Sequence, residues 1–545
     1  MAVGHEQVTR KIGRGRIWAG IAALSFLALL IGGAFAGLLA EATGSWRAAV
    51  DAFDFYLLRV MRFTLLQASL STLLSLIPAL FVARALARHP RFMGRGLILS
   101  LFAVPLALPA IVAALGVLAL YGRAGFLAPF LSLVGNRHWE GIYGLTGILV
   151  AHVFFNMPLA TRLLLAALES VPTNYWRLGA QLDMGPVASF RFIEWPVLRT
   201  ALPQVAALVF MLCVTSFTIV LTLGGGPRAT TLEVAIYQAL RFDFDLARAL
   251  ALTIAQIGLT LLVVFILARL GASISADTNL PTAPRRAIFA SRAETAINTL
   301  MILLALLFVA GPMVATLLAG MEADLARLAA DPSVRNATLT SLLLATLSAL
   351  LSVALSLSLV VARRQLELSR RAQTPGLLEI MSDAGASFVL IIPPVVIGAG
   401  WFILLRHFGN VFTFAPIMVV TVNAAMAMPF AIRALRPAHD AASARHEKLC
   451  RSLGIRGVAR LRLVDWPVLR RPMAVAFAFA MALSLGDLGV IALFGSESVQ
   501  TLPYLLLQRM GSYRTDDAAG LALFLGLLCL LLMLVAGRLS REARS

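Results

Sequence analysis

Twelve apolar runs decide what this chain can fold into: residues 17–40, 63–83, 97–120, 142–165, 201–223, 249–268, 297–319, 339–362, 384–405, 414–435, 473–494 and 518–536. Each is close to the ~20 residues an α-helix needs to cross the hydrocarbon core of a bilayer. The chain is 60% hydrophobic and only 13% charged, against about 25% charged in a soluble globular chain. In lipid every backbone N–H and C=O needs a partner inside the protein. The expected fold is therefore an all-α integral membrane bundle of 12 transmembrane helices, six in each half. The first run follows Arg10, Lys11, Arg14 and Arg16. It is too long for a signal-peptide core and reads as a retained anchor helix.

The basic residues orient the bundle. With the N-terminus placed in the cytoplasm, 33 of the 46 Lys and Arg fall on that side. The acidic residues divide evenly, so the whole net charge of +19 sits on one face. That is the positive-inside pattern, with both termini cytoplasmic, rather than a nucleic-acid footprint. Cys213, Cys450 and Cys529 form no CxxC, and the seven His form no HExxH. Neither a metal nor a cofactor is expected. His152 reads as a hydrogen-bonding group between helices. No Walker sequence is present, so the chain is not itself expected to hydrolyse ATP.

One polar stretch occurs twice. Trp195-Pro196-Val197-Leu198-Arg199 returns as Trp466-Pro467-Val468-Leu469-Arg470, 271 residues later. The same offset pairs Pro158 with Pro429, Arg162 with Arg433, Glu169 with Asp440, Leu182 with Leu453, Arg191 with Arg462 and Glu194 with Asp465. Both copies fall on the basic side, which makes the halves parallel repeats. Fainter echoes pair Leu108-Pro109-Ala110 with Ile392-Pro393-Pro394, and Thr230-Thr231-Leu232 with Gln500-Thr501-Leu502. The expected organisation is a tail and first helix (1–50), a first module (59–268), a cytoplasmic linker (269–296), a helix and external loop (297–334), a second module (335–537) and a tail (538–545).

Each copy reads as two short helices. In the first, Pro172 suits the opening turn of a helix over 174–182. Gly185-Pro186 stops it, and a second helix over 187–193 ends before Pro196. In the second copy the helices are 443–453 and 457–464, with breaks at Gly454 and before Pro467. Such a pair forms a knob that can enter a groove on a soluble partner and pass on rigid-body motion. A simpler reading is that Trp-Pro merely restarts a span at the interface, a depth Trp favours. That reading needs neither the paired helices nor an Arg at fixed offset.

The spacing of these loops resembles the cytoplasmic loop of binding-protein-dependent ABC importer permeases, written as Glu-Ala-Ala followed at fixed distances by Gly, Ile and Leu-Pro. Here Gly454, Val464, Trp466 and Pro467 fall at the later positions of one copy, and Asp183, Ile193, Trp195 and Pro196 at those of the other. The letters depart where Arg177-Leu178-Gly179 and Lys448-Leu449-Cys450 replace Glu-Ala-Ala, and where Asp183 replaces Gly. With the stretch from Gly224-Gly225-Gly226-Pro227 to Gln238, the chain is similar to the fused two-module permeases of thiamine ABC importers.

That resemblance implies a type I importer-like permease of the bacterial inner membrane. It implies a cytoplasmic ABC ATPase dimer, a periplasmic thiamine-binding protein, and movement of thiamine or its phosphates by alternating access. The loop residues expected to couple to the ATPase are Glu169, Arg177, Leu182, Asp183, Glu194, Trp195, Pro196 and Arg199, then Asp440, Lys448, Leu453, Gly454, Asp465, Trp466, Pro467 and Arg470. Asp487 reads as the one carboxylate inside a span, at a cost of about 2.5–3.5 kcal/mol at a helix centre. With its counterpart Ser216 it is the candidate for the translocation pathway, against the plainer reading of a hydrogen-bonded Asp between Gly486 and Gly489. A ferric-iron ABC permease is the alternative cargo reading. An ion-gradient-driven secondary transporter is the alternative mechanism, and it gives the twin loops no task.

Overall fold

A computed structural model describes residues 2–90, 92–135, 138–224, 226–269, 292–370, 374–389, 392–455 and 457–542. Most of the expected linker, with Gly225, lies outside them. The described residues hold helices and no strand. In the first half these are α1 (Ala2–Asp51), α2 (Phe55–Arg88), α3 (Arg95–Leu101), α4 (Ala110–Tyr121), α5 (Ala128–Gly135), α6 (Leu145–Glu169), α7 (Thr173–Gln181), α8 (Pro186–Ser189), α9 (Trp195–Val214), α10 (Thr218–Leu223), α11 (Leu232–Arg241) and α12 (Leu246–Arg269). The second half runs α13 (Arg292–Glu322), α14 (Leu325–Ala330), α15 (Pro332–Ser369), α16 (Leu377–Val389), α17 (Pro394–Leu405), α18 (Ala415–Ser452), α19 (Gly457–Arg460), α20 (Trp466–Gly486), α21 (Gly489–Phe494), α22 (Leu502–Gly511) and α23 (Thr515–Glu542). Long and short helices recur in nearly the same order. One contact shows how closely: Thr64 Oγ1 on α2 accepts the Leu232 N–H of α11, and Ser341 Oγ on α15 accepts the Leu502 N–H of α22.

Ten helices among the described residues are long and apolar enough to span a membrane, or eleven if one bent pair counts as a span. The two expected spans over 97–120 and 384–405 are the exceptions. In the first, 95–107 and 110–121 meet at 112° around Pro109. In the second, Pro393 and Pro394 open a short apolar helix reaching only to Phe408. A proline within an apolar run can bend a helix or begin one, and these begin helices: Pro109 and Pro393 sit in extended backbone at the N-caps of α4 and α17, because a proline biases the residue before it away from helix and cannot donate to the turn before it. Both short helices are sealed in the core, with Ile111, Ala114, Ile397 and Ala399 fully buried. A helix apolar on every side belongs in such an interior position.

Helix α1 does not pack chiefly on the half that follows it. It lies along α15 and α17 of the second half and also touches α12. Gly33 faces the Trp401 ring, and Gly37 faces the Gly400 carbonyl, which an added Cβ would approach to 2.1 Å. This Gly-x-x-x-Gly face lets two backbones meet where lipid offers no competing hydrophobic drive. The Trp401 Nε1–H donates to Leu30 O at 2.7 Å, and Arg406 pairs with Glu41 at 2.9 Å. Helix α13 makes the reciprocal crossing, packing on α2 and α4 of the first half as well as α23. Gly37→Leu is expected to unseat α1, at about 1–3 kcal/mol for overpacking. Thermal unfolding in detergent checks it: the melting point should fall relative to Gly32→Leu, since nothing lies within 4 Å of Gly32.

Candidate functional site

Both repeated loops sit at the same end of the bundle. Helix α1 ends where α2 begins, across residues 52–54, so Arg16 and Arg88 lie at the opposite, shared end. Arg16 touches the second loop at Asp465, and Arg88 touches the first at Glu194.

The loops have the same backbone design. Helix α7 closes with the Met184 N–H donating to Gly179 O at 2.9 Å, and α18 closes with the Ile455 N–H donating to Cys450 O at 2.9 Å. This is the closure in which the chain turns through the left-handed region. Asp183 has φ 49° and Gly454 has φ 64° there. The substitution of Asp for the family's Gly is thus explained, because Asp is among the few side chains that enter this region without large strain. Gly454→Val is expected to destabilise the second loop by about 1–2 kcal/mol, whereas Asp183→Gly should be nearly silent. Limited proteolysis of the two loops reads the difference.

The structure corrects two details of the expected helix pairs. The first copy has separate helices α6 and α7, parted at Pro172. In the second, α18 runs unbroken from span into loop because Ser443 stands where Pro172 stands in the first. Nor does either loop break before its Trp-Pro. Phe190–Glu194 and Leu461–Asp465 form wide π-turns that lead directly into α9 and α20. Pro196 and Pro467 have no N–H for the carbonyl four residues back, so the turn widens there. Each knob is therefore continuous with a span.

Four of the acids among the candidates, Glu169, Glu194, Asp440 and Asp465, turn inward. Glu194 is 2% exposed and accepts from Arg84 at 2.5 Å and Arg88 at 2.9 Å. Arg88 also pairs with Glu294. Asp465 pairs with Arg16 at 3.5 Å and Arg460 at 3.6 Å. Glu169 pairs with Arg95 at 2.6 Å, and Asp440 with Arg363 at 2.7 Å. These four acids brace the loops from within rather than projecting from them. Outward stand Arg177, Asp183, Pro196 and Arg199, and Gly454, Pro467 and Arg470. The Lys448 side chain lies outside the described residues.

Among the outward groups are matched apolar residues. Leu182 and Leu453 are each 63% exposed, and Phe192 and Leu463 are 62% and 65% exposed. Leu178 with Leu449, and Trp195 with Trp466, complete four exposed pairs at the 271-residue offset. Sequence reasoning missed Leu178, Phe192, Leu449 and Leu463. Their signal was available as apolar residues three to four apart on an otherwise polar helix. It also missed Arg16, Arg84 and Arg88, whose partners are far away in sequence.

Asp487 and Ser216 are not brought together as a pair. Asp487 is half-buried and caps α21, accepting the Gly489 N–H at 3.3 Å. It lies beside Gly486, which rests on Pro109 of the other half. Ser216 shares His152 with Ser71, at 2.8 and 2.9 Å, so His152 does tie helices together. Asn423, at the corresponding position, donates to Ser484 at 3.0 Å. Asp487 is also not the sole enclosed acid. Glu233, at the first turn of α11, is 1% exposed, and its Oε1 has no hydrogen-bond partner.

The structure thus presents a bundle of long apolar helices with two internally braced, apolar-tipped loops at one end. Comparison with known proteins supplies the class. The family described as binding-protein-dependent transport system inner membrane component matches residues 372–542. The thiamine transport system permease protein ThiP of Brucella abortus (strain 2308) is 59% identical over 520 residues, 95% of this chain and 94% of its own. Its namesake in Escherichia coli (strain K12) is 44% identical over 487 residues, 89% of this chain and 90% of its own. A ferric transport system permease protein of Haemophilus influenzae is 31% identical over only 172 residues, 31% of this chain and 26% of its own. The chain belongs to the family of thiamine transport system permease proteins, multi-pass permease subunits of ABC importers and not enzymes.

Proposed function

We propose that the chain carries thiamine or a thiamine phosphate across the bacterial inner membrane, from a periplasmic thiamine-binding protein to the cytoplasm. The full-length identity to permeases named for thiamine transport supports this cargo, whereas the match to a ferric permease covers less than a third of either chain. Two halves of six membrane helices form the pathway, each a five-span module (59–268 and 335–537) preceded by one further span, with the bent segment at Pro109 and the short helix at Pro394 as the eleventh and twelfth membrane elements. Both termini and both repeated loops face the cytoplasm, in keeping with the excess of Lys and Arg on that side.

One observation carries the mechanism: four exposed apolar pairs at equal offset on two loops at one end of the bundle. Leu182, Trp195 and Arg199, and their counterparts Leu453, Trp466 and Arg470, enter a cleft on each subunit of an ATPase dimer. Glu169, Glu194, Asp440 and Asp465 keep each knob rigid. Closure of the dimer draws the knobs together, and the π-turns pass that motion into α9 and α20. The cavity then turns from outward-facing to inward-facing around Pro109, Gly486 and Asp487. Asp487 offers a cationic cargo a carboxylate at the seam.

The test is reconstitution in sealed vesicles with ATPase and binding protein. Uptake of labelled thiamine is expected to need ATP, both partners and no ion gradient. Uptake driven by a proton or sodium gradient alone would overturn the mechanism, and uptake of ferric iron without thiamine would overturn the cargo.

A further inference from the structure

The inward acids of the two loops do more than stiffen them. Glu194 and Asp465 occupy the same repeat position, yet each is tied to a helix outside the repeated loops, Glu194 to α2 of its own half and Asp465 to α1, the first helix of the chain. The first loop reaches Arg88, whose guanidinium also takes Glu294 at the start of α13. Helix α13 opens the second half, packs on α2 and α4 of the first, and runs beside α23, where Gly320 meets Leu523. The second loop reaches Arg16, at the start of the apolar span of α1. Helix α1 opens the first half but is seated on α15 and α17 of the second, and it also touches α12. We propose that these two ion-pair ties are cross-straps through which each loop pulls on both halves, so that the two loops move only together. Arg16 and Glu294 are then positioning residues for transport.

The chemistry suits the task. Arg88 is 8% exposed and splits its planar fork between two carboxylates, an arrangement Arg supports and Lys does not. Breaking such an enclosed pair strands a charge, so the loop and the start of α13 move as one body. Arg84 adds a second grip on Glu194 and lies over the Phe190 ring at 4.6 Å. Arg16 and Asp465 are only partly enclosed, at 25% and 14% exposure, so their tie can lengthen without being lost. One strap is stiff and the other yields, and a single chain holding both has its loops linked by construction.

This rests on the reading of the loops as ATPase docking points, and the experiment separates the two. The full chain is reconstituted with its ATPase and binding protein, as native and with Arg16→Ala, Glu294→Gln, or both. Capture of the ATPase and basal hydrolysis should be native, because neither residue is on the exposed apolar face. Stimulation of hydrolysis by the loaded binding protein, and thiamine uptake per ATP, should fall about 5-fold for Arg16→Ala and more for Glu294→Gln. Arg16→Lys should recover most of the loss in stimulation and uptake. Native stimulation in the single variants, or no recovery in Arg16→Lys while capture is native, overturns the straps. Failure of the native chain to capture the ATPase overturns instead the reading on which they rest.

Discussion

Replacing Leu182 and Leu453 together by Asp is expected to leave the bundle folded and to strip it of its ATPase. Both side chains are 63% exposed, so neither contributes appreciable buried area to the chain's own core. At an interface, an apolar anchor seated in a pocket is worth about 2 kcal/mol or more. That is about 30-fold in affinity per loop and about 1,000-fold for the pair if the two add. Titration of the ATPase against the permease in nanodiscs measures it directly. Single variants should lie between native and double. A double variant that binds as the native chain does would remove the apolar face from the account.

Glu194→Ala is expected to be among the most destabilising single changes at the loops. It leaves Arg84 and Arg88 facing an emptied, enclosed site, and removing one partner of a buried pair costs about 3–5 kcal/mol. Asp465→Ala removes the corresponding carboxylate, whose partners are farther off and partly solvated, and should cost about 0–1 kcal/mol. Thermal unfolding in detergent therefore distinguishes two positions that sequence makes equivalent. Equal losses would mean that the enclosure of Glu194 has no energetic weight.

That contrast shows what the sequence could tell and what it could not. Apolar length and basic loops were enough to place ten of the spans, because those depend on local composition. The repeat was legible because identity at fixed offset needs no geometry. The left-handed turn shared by Asp183 and Gly454 was not read, because the first helix was expected to stop at Gly185-Pro186; only the equal spacing of the two residues pointed to it. The prolines were ambiguous, since a proline can bend a helix or begin one. Pro109 and Pro393 begin helices in the core, while Pro158 and Pro429 lie within spans that continue. Ser443 in place of Pro172 explains why two loops of equal spacing enter their knobs differently.

The inward turn of Glu194 was not legible. Its partners lie 106 and 110 residues away on α2, and only packing brings them together. The same holds for Arg16 and Asp465, 449 residues apart. Glu233 escaped notice because it sits in a short helix between spans, where an acid looks affordable until the helix is found buried.

The central claim is tested most directly by asking which side of the membrane the two knobs face and what covers them. Cysteine is placed at Leu182 or Leu453 and challenged with a membrane-impermeant maleimide in sealed vesicles of known orientation. Cys213, Cys450 and Cys529 are all buried and give a low background. Both new thiols should react only in inside-out vesicles, and both should be protected when the ATPase is added. Reaction from opposite faces, or reaction from the cytoplasmic face that the ATPase leaves unchanged, would contradict the account.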